Sequence, residues 1–172
     1  MCSDPKCNES LFDHEQVPLN ITIYVDKGIK DLIEQLWNHG LITQYSCENQ
    51  KILPYGESGF AHIIFPDYCH GIAFAAFLES LEIEYKLQMR DTDNGNAANV
   101  RFPNKMINTI LSELNSSSYN GESRDFLNYW IFQKTYRTML NDYKERSKLD
   151  EAGWQTIKVF KPSKVFSISN FD

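Results

Sequence analysis

The chain has 172 residues, 42% of them hydrophobic and 23% charged, with a formal net charge of −6, a balance that fits one globular domain able to bury a core and excludes a disordered chain. No segment approaches the roughly 18 consecutive apolar residues of a membrane span, and Met1 to Gln16 is polar and lacks the apolar centre of a secretory signal. A soluble cytoplasmic protein without membrane contact is therefore expected, with its four cysteines as reduced thiols or metal ligands.

Residues 1–17 read as an irregular leader and residues 18–172 as a single α+β domain. In the leader, Cys2 and Cys7 are separated by four residues and followed by His14, a spacing that lets two thiolates and an imidazole approach one tetrahedral Zn²⁺. A fourth ligand would have to come from Cys47 or Cys69, and no other cofactor is expected.

Ile21 to Val25 alternates apolar with polar residues and predicts a strand. Ile29, Leu32, Ile33, Leu36 and Trp37 then share one helical face, with Asp26 as the expected cap and Gly40 as the stop. A strand over Leu41 to Tyr45 would complete a βαβ unit. After the polar loop Glu48 to Gly59, Phe60 to Phe65 predicts a strand pairing back as a hairpin, and Pro66-Asp67 predicts a strand stop and a helix cap. The helical pattern of Ile72, Ala73, Ala76 and Phe77 follows. Ile83, Tyr85, Leu87 and Met89 alternate with polar residues, and Asp93-Asn94-Gly95 is hairpin chemistry leading into Ala98 to Phe102.

The segment Ala98 to Asn104 echoes Ala61 to Asp67, which is an economical way to write a strand-to-helix turn rather than proof of duplication, and a helix from Met106 to Leu114 follows. Beyond a Ser, Asn and Gly linker, Arg124 to Leu149 predicts one long polar-aromatic helix, and Gly153 to Phe166 an edge hairpin around Lys161-Pro162-Ser163. The sum is a ferredoxin-like βαββαβ core with an extra strand-helix unit and a long C-terminal helix.

Charge is uneven: residues 1–133 carry 18 acids against 9 Lys and Arg, and residues 134–172 carry 5 against 8. An acidic body repels a phosphate backbone, so nucleic-acid binding is confined to a local patch from Lys134, Arg137, Lys144, Arg146 and Lys148. Cys47 ends a predicted strand beside a loop, where binding groups concentrate. As a nucleophile it needs a histidine such as His39 or His62, because the thiolate is the attacking species. Parity puts Tyr45 and Cys47 on one face of their strand and His62 on one face of the next. Where the two faces coincide, a thiol, an imidazole and a phenol line one patch capped by Glu48, which makes Cys47, His62 and Glu48 the candidate catalytic set. Cys69-His70, in the first turn after Asp67, is a second candidate, since a helix N-terminus favours a thiolate.

Ile29-x-x-Leu-Ile-x-x-Leu-Trp-x-x-Gly-Leu-Ile-Thr-x-x-Ser-Cys-Glu, followed by Ala61-x-Ile-Ile-Phe, resembles a group of uncharacterised small bacterial and phage proteins over roughly residues 24–66. That resemblance implies a shared structural core and no activity. The Ser46-Cys47 turn is also similar to the Ser-Ser-Cys-Ser-Gly-Arg segment of wybutosine-synthesis methyltransferases, but Glu48-Asn49-Gln50 replaces its Ser-Gly-Arg part, so no activity is carried over. With no complete catalytic set, the expected function is a non-enzymatic binding or regulatory module for a ligand or protein partner that the sequence leaves open. Its rivals are a thiol-dependent or metal-assisted enzyme centred on Cys47, and a nucleic-acid accessory protein using the basic C-terminal helix.

Overall fold

The computed structural model describes residues 23–48, 59–92, 95–116, 123–145 and 153–163. The leader with Cys2, Cys7 and His14 lies outside them. They form an α+β fold in which a five-stranded, wholly antiparallel sheet carries helices against its apolar face. Among the described residues no helix is long and apolar enough to cross a membrane.

Helix α1 spans Lys30–Asn38 and buries Leu32, Ile33 and Leu36, as its periodicity predicts. Gly40 stops it: at φ 76° it lets the Leu41 N–H reach back to the Leu36 carbonyl at 2.8 Å. The other end differs from expectation. Ile29 stands at the cap position without a side-chain bond, and the Asp26 carboxylate instead accepts from the backbone N–H of Glu48 at 3.2 Å.

Ile23 to Asp26 is irregular rather than a strand. Ile23 and Tyr24 are exposed, and alternation alone makes no strand where no described neighbour supplies a hydrogen-bonding edge. Strand β1 is Tyr45–Cys47, shorter and later than Leu41 to Tyr45, because Leu41 is taken up in closing the helix end.

Strand β2, Phe60–Phe65, pairs with β1 as the predicted hairpin. Asp67 then caps α2, Tyr68–Ser80, accepting from the His70 N–H at 2.9 Å. Every residue from Gly71 to Leu78 is buried, so this stretch of the helix is apolar all round and lies within the core. Strands β3, Tyr85–Thr92, and β4, Gly95–Pro103, form the second predicted hairpin. A short 3₁₀ turn, Asn104–Met106, leads into α3, Ile107–Ser116.

The single helix expected over Arg124 to Leu149 is two: α4, Ser123–Ile131, and α5, Lys134–Glu145. The spacing explains the break. Phe126 and Trp130 fit one stripe and Tyr136 and Met139 another, and all four are buried, yet six residues from Trp130 to Tyr136 would carry an unbroken helix about 240° round. A turn at Phe132-Gln133, with the Gln133 N–H on the Trp130 carbonyl at 3.0 Å, re-aims the chain.

Strand β5, Gln155–Phe160, pairs with β3 as an edge strand, and the rest of the expected Lys161 hairpin beyond Ser163 lies outside the described residues. The sheet order is β1-β2-β4-β3-β5. The β-α-β-β-α-β succession expected from Ile21 is found instead from β2 to β5, with α3, α4 and α5 filling the second helical place.

Candidate functional site

One sheet face, through Ala61, Ile63, Phe65, Leu87, Met89, Ala98, Val100 and Phe102, belongs to the core. Strand alternation sends their neighbours to the second face. Register partners there form a row across all five strands: Cys47, His62, Arg101, Lys86 and Val159. Beside it runs a second row: Tyr45, Ile64, Asn99, Gln88 and Thr156. Neither row contains a carboxylate.

His62 is only 6% exposed and Asn99 8%. Both ring nitrogens of His62, Oδ1 of Asn99 and Nε of Arg101 are buried without a hydrogen-bond partner among the described residues. Each such group costs roughly 1–3 kcal/mol to leave unsatisfied, and here they are neighbours on two paired strands. Burial, and then the Arg101 guanidinium, hold the His62 imidazole below the usual histidine range against the opposing pull of Asp26. His62 is therefore neutral at pH 7, offering one donor and one acceptor.

Aromatic rings flank the cluster. Tyr45 meets His62 edge-on at 5.4 Å between centroids, and the Arg101 guanidinium lies 5.8 Å from the Phe60 centroid. Tyr45 also walls a cleft of about 320 Å³ shared with Tyr24, Asp26, Trp37, Thr43 and Gln44. Inside it, Trp37 Nε1 donates to Thr43 Oγ1 at 2.9 Å.

The structure brings Cys47 opposite His62, so that the two strand faces coincide, with Cys47 half-buried and outside any disulfide. No hydrogen bond joins the thiol to the imidazole. Glu48 is turned elsewhere: its carboxylate occupies the space a Cβ on Gly28 would fill, 1.8 Å from Oε2, at the N-terminal end of α1. His39 is not a partner for Cys47. It is buried against Phe126, and its Nε2 donates to the Leu114 carbonyl at 3.2 Å, which fastens α1 to α3.

The Cys69-His70 pair sits in a separate polar cluster. His70 Nδ1 is bonded closely to the Asp67 carboxylate. Burial alone would raise Asp67, but the bonds from the His70 ring and backbone prevail and hold it below the usual range. Tyr136 is raised by burial and by its hydrogen bond with Cys69. Tyr143 is pushed up to about 12 by burial and its bond to Asp91.

Among the described residues no group of three or more His, Cys, Asp or Glu is placed to hold a metal ion. Of the basic tail, Lys134 and Arg137 are exposed on α5, the Lys144 side chain, Arg146 and Lys148 lying outside the description. Arg101, Asn99 and Lys86, which the sequence marks only as strand residues, provide most of the polar face. The signal that could have found them is the parity of β4, where Asn99 and Arg101 alternate with Ala98, Val100 and Phe102.

No protein-family profile, curated protein or solved structure matches the chain.

Proposed function

We propose that the protein is a non-enzymatic binding module whose ligand seats on the second face of the sheet, against His62, Asn99 and Arg101. The observation that carries this reading is the adjacency of four buried, unpartnered polar atoms on those three side chains. A fold gains nothing from desolvating hydrogen-bonding groups without partners, whereas a ligand that completes them recovers the cost on binding. Architecturally, we read the succession from β2 to β5 as a variant of the ferredoxin-like plan whose fourth strand lies beside its second.

The test uses stability alone. Asn99→Leu and His62→Leu, singly and together, should leave the ligand-free melting temperature unchanged or raised, because an unsatisfied polar group is exchanged for an apolar one. A loss above about 2 kcal/mol would assign these side chains to holding the fold, on the scale of breaking satisfied buried interactions.

A second reading, a thiol-dependent enzyme, draws on the register pairing of Cys47 with His62. Cys47→Ser separates the two: a binding module keeps its affinity, and a thiol enzyme loses turnover.

A further inference from the structure

The geometry points to a nucleotide as the ligand of this face, its phosphate on Arg101 and its base in the cleft beside Tyr45. This deepens the binding reading above and rests on it.

The anionic end follows from charge. Arg101 lies between His62 and Lys86 in the register row, with no carboxylate on either row of the face. Its Nε–H is unsatisfied, and a guanidinium with an ammonium as neighbour suits the several acceptor oxygens of a phosphate better than a single carbonyl. His62 and Asn99 add a donor and acceptors beside it, which a bare anion would not use in full but a phosphate joined to a hydroxylated group would.

The planar end follows from the cleft. At about 320 Å³ it falls at the small end of the range for small-molecule pockets, roughly 300–1,000 Å³. Three of its walls are aromatic, Tyr24, Trp37 and Tyr45, and base stacking on aromatic side chains is tolerant of base identity. Asp26, Thr43 and Gln44 provide the carboxylate, hydroxyl and amide that ribose hydroxyls and exocyclic amines take as partners.

The two ends meet at Tyr45, which walls the cleft and touches the His62 ring. Orientation is then fixed by repulsion. A phosphate is excluded from the end that holds Asp26 and drawn to the end that holds Arg101.

The experiment is calorimetric titration of the full chain with inorganic phosphate, the four common nucleoside monophosphates, their nucleosides, and a ten-nucleotide single strand. The expected result is at least one monophosphate binding tenfold or more tightly than both phosphate and its own nucleoside. Arg101→Gln, confirmed folded by circular dichroism, should remove the monophosphate advantage and leave nucleoside binding unchanged. Tyr45→Ala should weaken monophosphate and nucleoside alike and leave phosphate unchanged.

Tighter binding of the strand than of any monophosphate, with a steep salt dependence, would support the proposal with the nucleotide as part of a nucleic acid. The reverse order would support it with a free nucleotide. Phosphate binding as tightly as every monophosphate would overturn it and leave an anion site. Absence of binding by all probes, with the leucine variants as stable as the parent, would overturn the nucleotide and keep the binding module. Leucine variants that lose stability would instead bring down the binding reading itself.

Discussion

Gly71 of α2 rests on Ala98 of β4 so closely that a Cβ on the glycine would lie 2.2 Å from the Cβ of the alanine. Carbon atoms pack at about 3.5–4.0 Å, so the helix lies at its present depth on the sheet because neither residue is larger. Gly71 is the contact point at the start of the helix's fully buried stretch, Gly71 to Leu78. Gly71→Ala should therefore cost about 1–3 kcal/mol by overpacking, despite the better helix propensity of alanine. Combining it with Ala98→Gly should return part of that loss, and denaturant unfolding of the two singles and the double decides the matter. Additive losses would show that the two side chains do not compete for one space.

The second prediction concerns the link between α2 and the β3-β5 edge. Tyr85 is 1% exposed and its hydroxyl donates to Glu79 at 2.5 Å, while Lys158 approaches the same carboxylate at 2.6 Å. Burial and Glu79 together push the Tyr85 hydroxyl far above its usual range. Glu79→Ala leaves the buried Tyr85 hydroxyl with only the weakly accepting Met139 sulfur and the half-buried Lys158 ammonium without this carboxylate, and should cost about 2–4 kcal/mol. Tyr85→Phe in the same background should cost less than it does alone, giving a coupling of about 1 kcal/mol or more in a double-mutant cycle.

Acid stability provides a third. The Asp67 carboxyl, held below its ordinary value of 3.8 by His70 against the pull of burial, contributes stability that is full above that value. The contribution is lost as pH falls through the lower folded value. At neutral pH Asp67→Ala should cost about 0.5–2 kcal/mol as a lost helix cap. The gap between parent and variant should narrow once the pH drops below 3.8, as urea midpoints across the acid range would record. A gap that stays constant to strong acid would mean the carboxylate charge contributes nothing.

Thiol chemistry gives a fourth. Cys47 faces a neutral imidazole whose ring nitrogens have no hydrogen-bond partner among the described residues, the thiol included, so His62→Gln should change the alkylation rate of Cys47 by less than about twofold. Mass spectrometry of the modified peptide after timed iodoacetamide exposure measures it. A fall of tenfold or more would mean the imidazole activates the thiol, an effect of general-base size.

Much of the architecture is legible in local pattern. The β3-β4 hairpin follows from Asp93-Asn94-Gly95 between alternating runs, and Asp67 from its place after Pro66, because turn and cap chemistry act within a few residues. The shared face of Tyr45, Cys47 and His62 follows from parity only once the register of the hairpin is known. Arg101 and Asn99 do not follow. Their place beside His62 depends on β4 pairing with β2 across a helix and another strand, a register no local pattern states. Glu48 was beyond reach for a different reason: its direction is decided by Gly28, twenty residues earlier, whose missing side chain leaves room for the carboxylate. The break between α4 and α5 was written in the six-residue step from Trp130 to Tyr136, but the abundance of aromatic residues around it hides the change of stripe.

The all-round burial of α2 sets an order on folding. From Gly71 to Leu78 it has no face suited to water. One side is met by β2, β3 and β4, close in sequence, while the other waits for Phe126, Trp130, Tyr136 and Met139, some fifty residues further along the chain. During synthesis, a chain ending before α4 therefore holds an uncovered apolar helix on a sheet that still lacks β5, a species prone to stick to its own kind. The last helices act as a lid on the nascent core.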